Sequence, residues 1–307
     1  YVAWNWDMGG SNATLTAGDI DSVVRANPTY GQSIVSYTGN GSDTQTVAHG
    51  LSSVLEMIIY KDRENANNDW KVYHTSIGNA KDLRLNSTAA SGNSTAWSST
   101  TPTSSLFTVH GSNTTNINNN DSIAYCFHSV SGYSKFASYT GNGNANHAIT
   151  GLGFEPAFLL IKRTNSTHDW VIVDNVRKTA AKITPASLLA NTTAVETNQD
   201  GDDVTSFDAD GFKVGENART NGNNDTFIYM AFADKREFAY NLDQSGNNND
   251  WTSVGLTESD IMVDSPTNNF CTLNPLDSNA GNNIVLSEGN LRFSNSGSAW
   301  DNIAGTF

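Results

Sequence analysis

The side chains of this 307-residue chain best suited to chemistry are the carboxylates Asp200, Asp202, Asp203, Asp208 and Asp210. Acids crowded in this way suit a hard cation such as calcium, which takes about six to eight oxygen ligands. The spacing departs from the EF-hand loop, whose central glycine and closing glutamate have no counterpart in register. Asp208-Ala209-Asp210-Gly211 reads more simply as a turn feeding the strand Phe212–Val214. A solvated acidic loop therefore stands beside the calcium reading, in which Asp200, Asp202 and Asp203 are the candidate ligands. No other cofactor is implied.

A second pair of acids, Asp69 and Asp169, each stands immediately before a tryptophan. Glycosidic cleavage needs two carboxyl groups facing each other across a cleft. Here the two acids hold the same place in two copies of one pattern, which points to a turn or cap. The six histidines (49, 74, 110, 128, 147 and 168) are dispersed, and no GxSxG nucleophile motif is present. Cys126 lies in an apolar run, where it reads as a small buried hydrophobe, and with Cys271 it is too little for a disulfide framework. The chain is not expected to be an enzyme.

Carbohydrate binding uses flat aromatic faces and amide groups on loops. Trp97, in the long polar loop Ser87–Thr103, is the exposed-aromatic candidate, and Asn93, Asn223 and Asn224 are the amide candidates. Trp70 and Trp170 are expected to fill the inner faces of their sheets instead.

The elements that must position these groups are given by an internal repeat. Ser36–Gly41, SYTGNG, returns unchanged as Ser138–Gly143, 102 residues later. The pairs Asp69-Trp70 and Asp169-Trp170 follow at an offset of 100, and the apolar runs Ile123–Phe127 and Ile228–Phe232 at 105. Drift of a few residues places insertions in loops and keeps the strand order. Short apolar runs separated by Gly and Asn turns predict an all-β fold of tandem β-sandwich, jelly-roll-like modules of about 100 residues. In module one the expected strands are Ser33–Tyr37, Thr44–His49 pairing back on it, Val54–Lys61, Trp70–His74, Leu83–Asn86, Ser105–His110 and Ser122–Phe127. Phe136–Tyr139, Ala157–Arg163, Trp170–Asp174, Gly211–Val214 and Thr226–Ala233 are those of module two. The domain expectation is 1–29 as the end of a preceding module plus a connector, with Tyr1–Asp7 a closing strand and Ile20–Ala26 extended. Modules follow at 30–132 and 133–240. The remainder, 241–307, is a linker and the start of a truncated further domain, so the chain reads as a segment of a longer polypeptide.

Composition is that of a polar, loop-rich, all-β chain. Asparagine fills 39 positions, and only 16% of residues are charged, giving an amide- and hydroxyl-rich surface. A net charge of −14 argues against nucleic acid, which needs a basic footprint. No apolar run reaches the roughly 20 residues of a membrane-spanning helix, so membrane insertion is not expected.

The runs YVAWNWD, ANPTYGQSIVSYTGNG, WKVYHTSIGNAK, STAWSSTTPTSSLF, YSKFASYTGNG and FIYMAFAD resemble tail-fibre-like, virion-associated repeat proteins of marine bacteriophages. SGNNNDW, DSPTNNF and CTLNPLD resemble the linker that precedes a lectin-like sandwich of the SPRY/concanavalin type in such proteins. The resemblance carries no catalytic residues. It implies a structural segment of a tail fibre, displayed on the virion surface, in which tandem modules extend outward and take part in host attachment. Its implied partners are other virion proteins, a host surface glycan or envelope protein, and copies of itself, commonly three. A capsid decoration or head-fibre protein and a polysaccharide depolymerase are the alternatives.

Overall fold

The computed structural model describes residues 4–111, 114–175, 177, 187–195 and 203–234, and the backbone of four strands between 272 and 306. The chain divides into two compact units, Tyr1–Lys235 and Arg236–Phe307. In the second, Thr272–Ser278 pairs antiparallel with Ile303–Thr306, and Ile284–Ser287 with Arg292–Asn295. The linker expected around Ser245–Asp250, and Cys271, lie outside the described residues.

The first unit holds two antiparallel sandwiches. Module one contributes β1 (Ala13–Leu15), β2 (Ser22–Asn27), β3 (Gln32–Thr38), β4 (Gln45–Ala48), β5 (Met57–Asp62), β6 (Lys71–His74), β7 (Lys81–Arg84), β8 (Gly92–Asn93), β9 (Leu106–Val109) and β10 (Asp121–Phe127). Module two contributes β11 (Ser134–Thr140), β12 (His147–Thr150), β13 (Phe158–Arg163), β14 (Trp170–Asp174), β15 (Leu188–Leu189), β16 (Val204–Asp208), β17 (Gly211–Val214), the single helical turn α1 (Ala218–Asn221) and β18 (Thr226–Phe232).

The large sheet of module one runs β1-β2-β3-β10-β5-β6-β7-β8, and that of module two runs β11-β18-β13-β14-β15. Over five strands the order is the same, with the last strand of each module inserted between β3 and β5 in one and between β11 and β13 in the other. The small sheets correspond too, β4-β9 against β12-β17-β16. The repeat is thus a repeat of topology.

Three expectations are corrected. Thr44–His49 does not pair back on β3; β4 pairs with β9 in the opposite sheet, because the chain crosses the sandwich at the Gly39-Asn40-Gly41 turn. Residues 13–27 are not a connector, since β2 pairs with β3 from Val23↔Ser36 to Asn27↔Gln32 and β1 pairs with β2. The extended reading of Ile20–Ala26 agrees with β2. Trp4–Asp7 forms no strand; both indoles turn sideways instead, edge-on to Phe158 at 5.5 Å.

The SYTGNG repeat is a polar lock, built twice. Tyr37 Oη donates to Thr115 O at 2.5 Å, and Tyr139 Oη to Thr220 O at 2.5 Å. Asn116 and Asn221, both fully buried, accept from the backbone N–H of Asn40 (2.9 Å) and Asn142 (2.8 Å). Their amide nitrogens donate to Ser42 O (2.7 Å) and Asn144 O (2.8 Å). Glycine is required because a Cβ on Gly39 or Gly141 would lie 2.2 or 2.3 Å from a carbonyl oxygen, and Gly41 and Gly143 hold φ of 74° and 69°. The turn itself is largely exposed, but the amides of Asn116 and Asn221 that hold it are buried, and buried polar groups need partners.

Each large sheet is apolar on both faces. Alternate residues look inward, Val35, Ile58, Tyr60, Tyr73 and Cys126 in module one and Leu159, Ile161, Val171, Phe227 and Tyr229 in module two. The intervening residues form a third core between the modules. Met57, Val72, Leu83 and Phe127 pack there on Phe136, Phe158, Leu160, Trp170, Ile228, Met230 and Phe232. The four sheets therefore stack in layers, where the expected tandem arrangement would extend end to end. Each such side chain contributes about 1.5–3 kcal/mol by burial.

Replacing Asn116 by Ala removes its bonds to the Asn40 N–H and the Ser42 carbonyl, at about 0.5–1.5 kcal/mol for each. The urea midpoint is expected to fall with an unchanged m value, while Asn93→Ala on the exposed edge strand β8 stays within about 0.5 kcal/mol of the parent.

Candidate functional site

Trp97 is not the exposed aromatic expected from its loop. It is 1% exposed and sits edge-on to Tyr73, centroids 5.8 Å apart, in the core of module one. The loop folds back as β8 and a turn in which Ser98 N donates to Thr95 O and Thr100 N to Trp97 O, pressing Ala96-Trp97 inward. The sequence signal was there: Ala-Trp is the apolar island in a Ser/Thr tract. Asn93 is exposed on β8; Asn223 and Asn224 are exposed in the turn before β18, where Asn224 takes φ 60° and its N–H donates to Gly141 O. Among the described residues no hydrogen bond joins Asn93 to either of them.

Among the described residues, the acids of the 200–210 region do not converge. Asp203 is buried, and its Oδ2 accepts from Arg219 Nη2 at 2.9 Å and Ser187 Oγ at 2.8 Å. Asp208 pairs with Lys213 at 3.2 Å. Asp210 accepts the backbone N–H groups of Gly153 (2.7 Å) and Gly151 (3.0 Å), which hold its pKa below the usual carboxylate value. Asp208–Gly211 is the β16–β17 turn, as expected. Asp200 and Asp202 lie outside the described residues, and among those described no three acids, histidines or cysteines are placed to hold a metal.

Asp69 and Asp169 are structural clasps. Asn86 Nδ2 donates to Asp69 (3.1 Å) while Asn86 Oδ1 accepts the Trp70 N–H (3.0 Å). Asn191 does the same for Asp169 (2.8 Å) and Trp170 (2.8 Å). Lys162 is fully buried; burial pushes its pKa down to about 8, and Nζ donates to Thr88 O (3.0 Å) and His168 O (2.6 Å). Such a lysine would be a potent nucleophile in an open pocket, but here carbonyls enclose it and it serves as a bolt between modules.

Trp70 and Trp170 do not line the inner faces of their sheets. Trp170 is buried between modules, its Nε1 donating to Arg84 O at 2.8 Å. Trp70 lies half-buried on the outer face of module one, stacked on Tyr125 at 6.5 Å and 22°. Nearby, two shallow depressions of about 200 and 310 Å³ share Val23 and Ser36, the first reaching Arg63 and Asp121 and the second Asn12, Arg25 and Ile34. Both depressions open on this partly apolar outer face.

Fold and surface together define a two-sandwich β-protein with a partly apolar outer face on module one. Residues 1–236 match the domain of unknown function DUF7483, and the chain belongs to that family. No curated protein and no solved structure matches the chain.

Two buried histidines make stability depend on pH. Burial lowers the pKa of His49 to about 4 and of His74 to about 4. In each, Nδ1 accepts a backbone N–H, from Leu51 (3.2 Å) and Ser76 (3.2 Å), so the proton sits on Nε2 and the ring is neutral. His49 Nε2 donates to Thr103 O at 3.3 Å, and His74 Nε2 faces the backbone of Tyr229 across the module interface without a well-aligned bond. Both folded pKa values lie below the ordinary value near 6.5, so the unfolded chain binds more protons in the window between. Stability is complete above about 6.5 and is expected to fall by up to about 1.4 kcal/mol per pH unit per histidine as pH drops toward 4. Urea midpoints at pH 7, 6, 5 and 4.5 test this; a flat profile would contradict it.

Proposed function

We propose that this chain is a structural, non-enzymatic segment of a bacteriophage virion appendage of the tail-fibre kind, displayed on the virion surface with a role in host attachment. The observation that carries the reading is the apolar layer joining the two sandwiches, which makes one stiff body from repeated units. A segment that must transmit load from a particle to a surface needs this property, while a hydrolase needs a cleft with convergent groups. The duplicated asparagine locks support the same reading, since they spend buried hydrogen bonds on holding turns rather than on binding. An amide-rich surface of net charge −14 favours solubility at high local copy number. Contacts to a host glycan or envelope protein would be individually weak and strengthened by multivalency. Other virion proteins complete the list of partners.

Gold-labelled antibody against the recombinant chain, applied to intact particles, is expected to decorate the appendages, and the chain itself is expected to bind host cells saturably. Label confined to the head would assign a decoration protein instead. Release of reducing ends from host envelope polysaccharide would overturn the non-enzymatic reading.

A further inference from the structure

The two sandwiches meet outer face on outer face in the apolar layer, but the polar contact beside that layer is not self-reciprocal. There module one supplies a rim, the end of β7 and the loop Asn86-Ser87-Thr88-Ala89-Ala90, and module two supplies a corner of its face. Across it Trp170 Nε1 donates to Arg84 O (2.8 Å), Lys162 Nζ to Thr88 O (3.0 Å), His168 N to Thr88 O (2.9 Å) and Ser91 N to Thr164 O (2.8 Å). Because the modules are copies, each carries both a rim and a face corner of this kind. The polar contact uses one of each and leaves the other pair unoccupied.

The unused rim is present and already shaped. Asn191-Thr192-Thr193-Ala194-Val195 repeats Asn86–Ala90 at an offset of 105, in the pattern Asn, Ser/Thr, Thr, Ala, Ala/Val. Ala190 N donates to Trp170 O at 3.0 Å as Leu85 N does to Trp70 O at 2.9 Å. Ala194 N donates to Thr192 Oγ1 at 3.2 Å as Ala89 N does to Ser87 Oγ at 3.2 Å. Yet Thr192 through Val195 lie in solvent, with Val195 84% exposed.

The unused corner of the module-one face is present too. Ile34, opposite Tyr125, and Ile123, opposite Ser36, hold the register positions of Phe136, opposite Met230, and Ile228, opposite Ser138. The module-two set is buried, whereas the module-one set and Trp70 are only half-buried, and Val23 beside them is 42% exposed. The Trp70 indole N–H has no partner among the described residues, where the Trp170 N–H holds Arg84 O. Lys61 Nζ holds Asn65 O and Asn68 O, which leaves one of its three donors for an incoming carbonyl.

We infer that the Trp70–Tyr125–Ile123 face of module one receives the Asn191–Val195 rim of module two from a second copy of this chain, so that copies dock head to tail. Incoming carbonyls then fall to Trp70 Nε1 and Lys61 Nζ, and Val195 covers the apolar face. The occupant follows from the molecule's own interface: the same rim motif already sits on the same kind of face corner once within the chain. This inference goes beyond the appendage reading and does not rest on it, and particle labelling tests that reading separately.

Sedimentation velocity on the full chain across a hundredfold concentration range tests it, with Val195→Asp to spoil the rim and Ile123→Glu to spoil the face. The native chain is expected to form species larger than dimers as concentration rises. Each variant alone is expected to lose association at least tenfold. An equimolar mixture of the two is expected to give a one-to-one pair and nothing larger, because only one intact rim and one intact face remain compatible. A native chain that stays monomeric throughout, association unchanged in both variants, or a closed dimer formed by either variant alone would overturn the proposal. Val195 is solvent-exposed, so its variant keeps the fold, and an unchanged urea midpoint verifies this for both.

Discussion

The structure depends on one constraint: the large sheet of each module is apolar on both faces. An antiparallel sheet in a small sandwich ordinarily turns one face to water and alternates accordingly. Here β10 and β18 carry Ile123, Tyr125 and Phe127, and Ile228, Met230 and Phe232, opposite their core residues. Such a sheet cannot stand alone, and the two modules satisfy each other by stacking outer face on outer face. The cost of leaving the layer open is set by the area of residues such as Trp170 and Phe158, each a large part of a domain's marginal stability.

Around that layer, polar groups work as fasteners. Asn116 and Asn221 staple the turn that carries the chain from one sheet to the other, Asn86 and Asn191 hold the Asp-Trp corner, and Lys162 ties module two to a carbonyl of module one. These positions call for asparagine for a physical reason: an amide can donate and accept at once, and here one side chain satisfies both a backbone N–H and an oxygen acceptor. Sharing of such bonds between copies also explains why SYTGNG survives unchanged while its surroundings drift.

Much of this was legible in sequence. Two-sided apolar runs marked the central strands, Gly-Asn-Gly marked the turn, and the offsets of Asp-Trp and SYTGNG gave the common topology. The sheet that each strand joins was not legible, because β4 and the strands flanking a turn carry the same alternation whether they pair locally or cross the sandwich. Trp97 was misplaced because its loop is polar on average, and average polarity hides one buried ring. Trp70 and Trp170 show the limit most clearly. Their local sequences are alike, and only the tertiary partner, present for one and lacking for the other in the described residues, separates a buried anchor from an open face.

The central claim is that two copied sandwiches form one cooperative body through their outer faces. Native-state hydrogen exchange in increasing sub-denaturing urea measures it directly, through the central-strand amides of β10 and β18. The account predicts that both sets merge onto a single global unfolding free energy. Two separate values, with β18 opening while β10 stays protected, would contradict it.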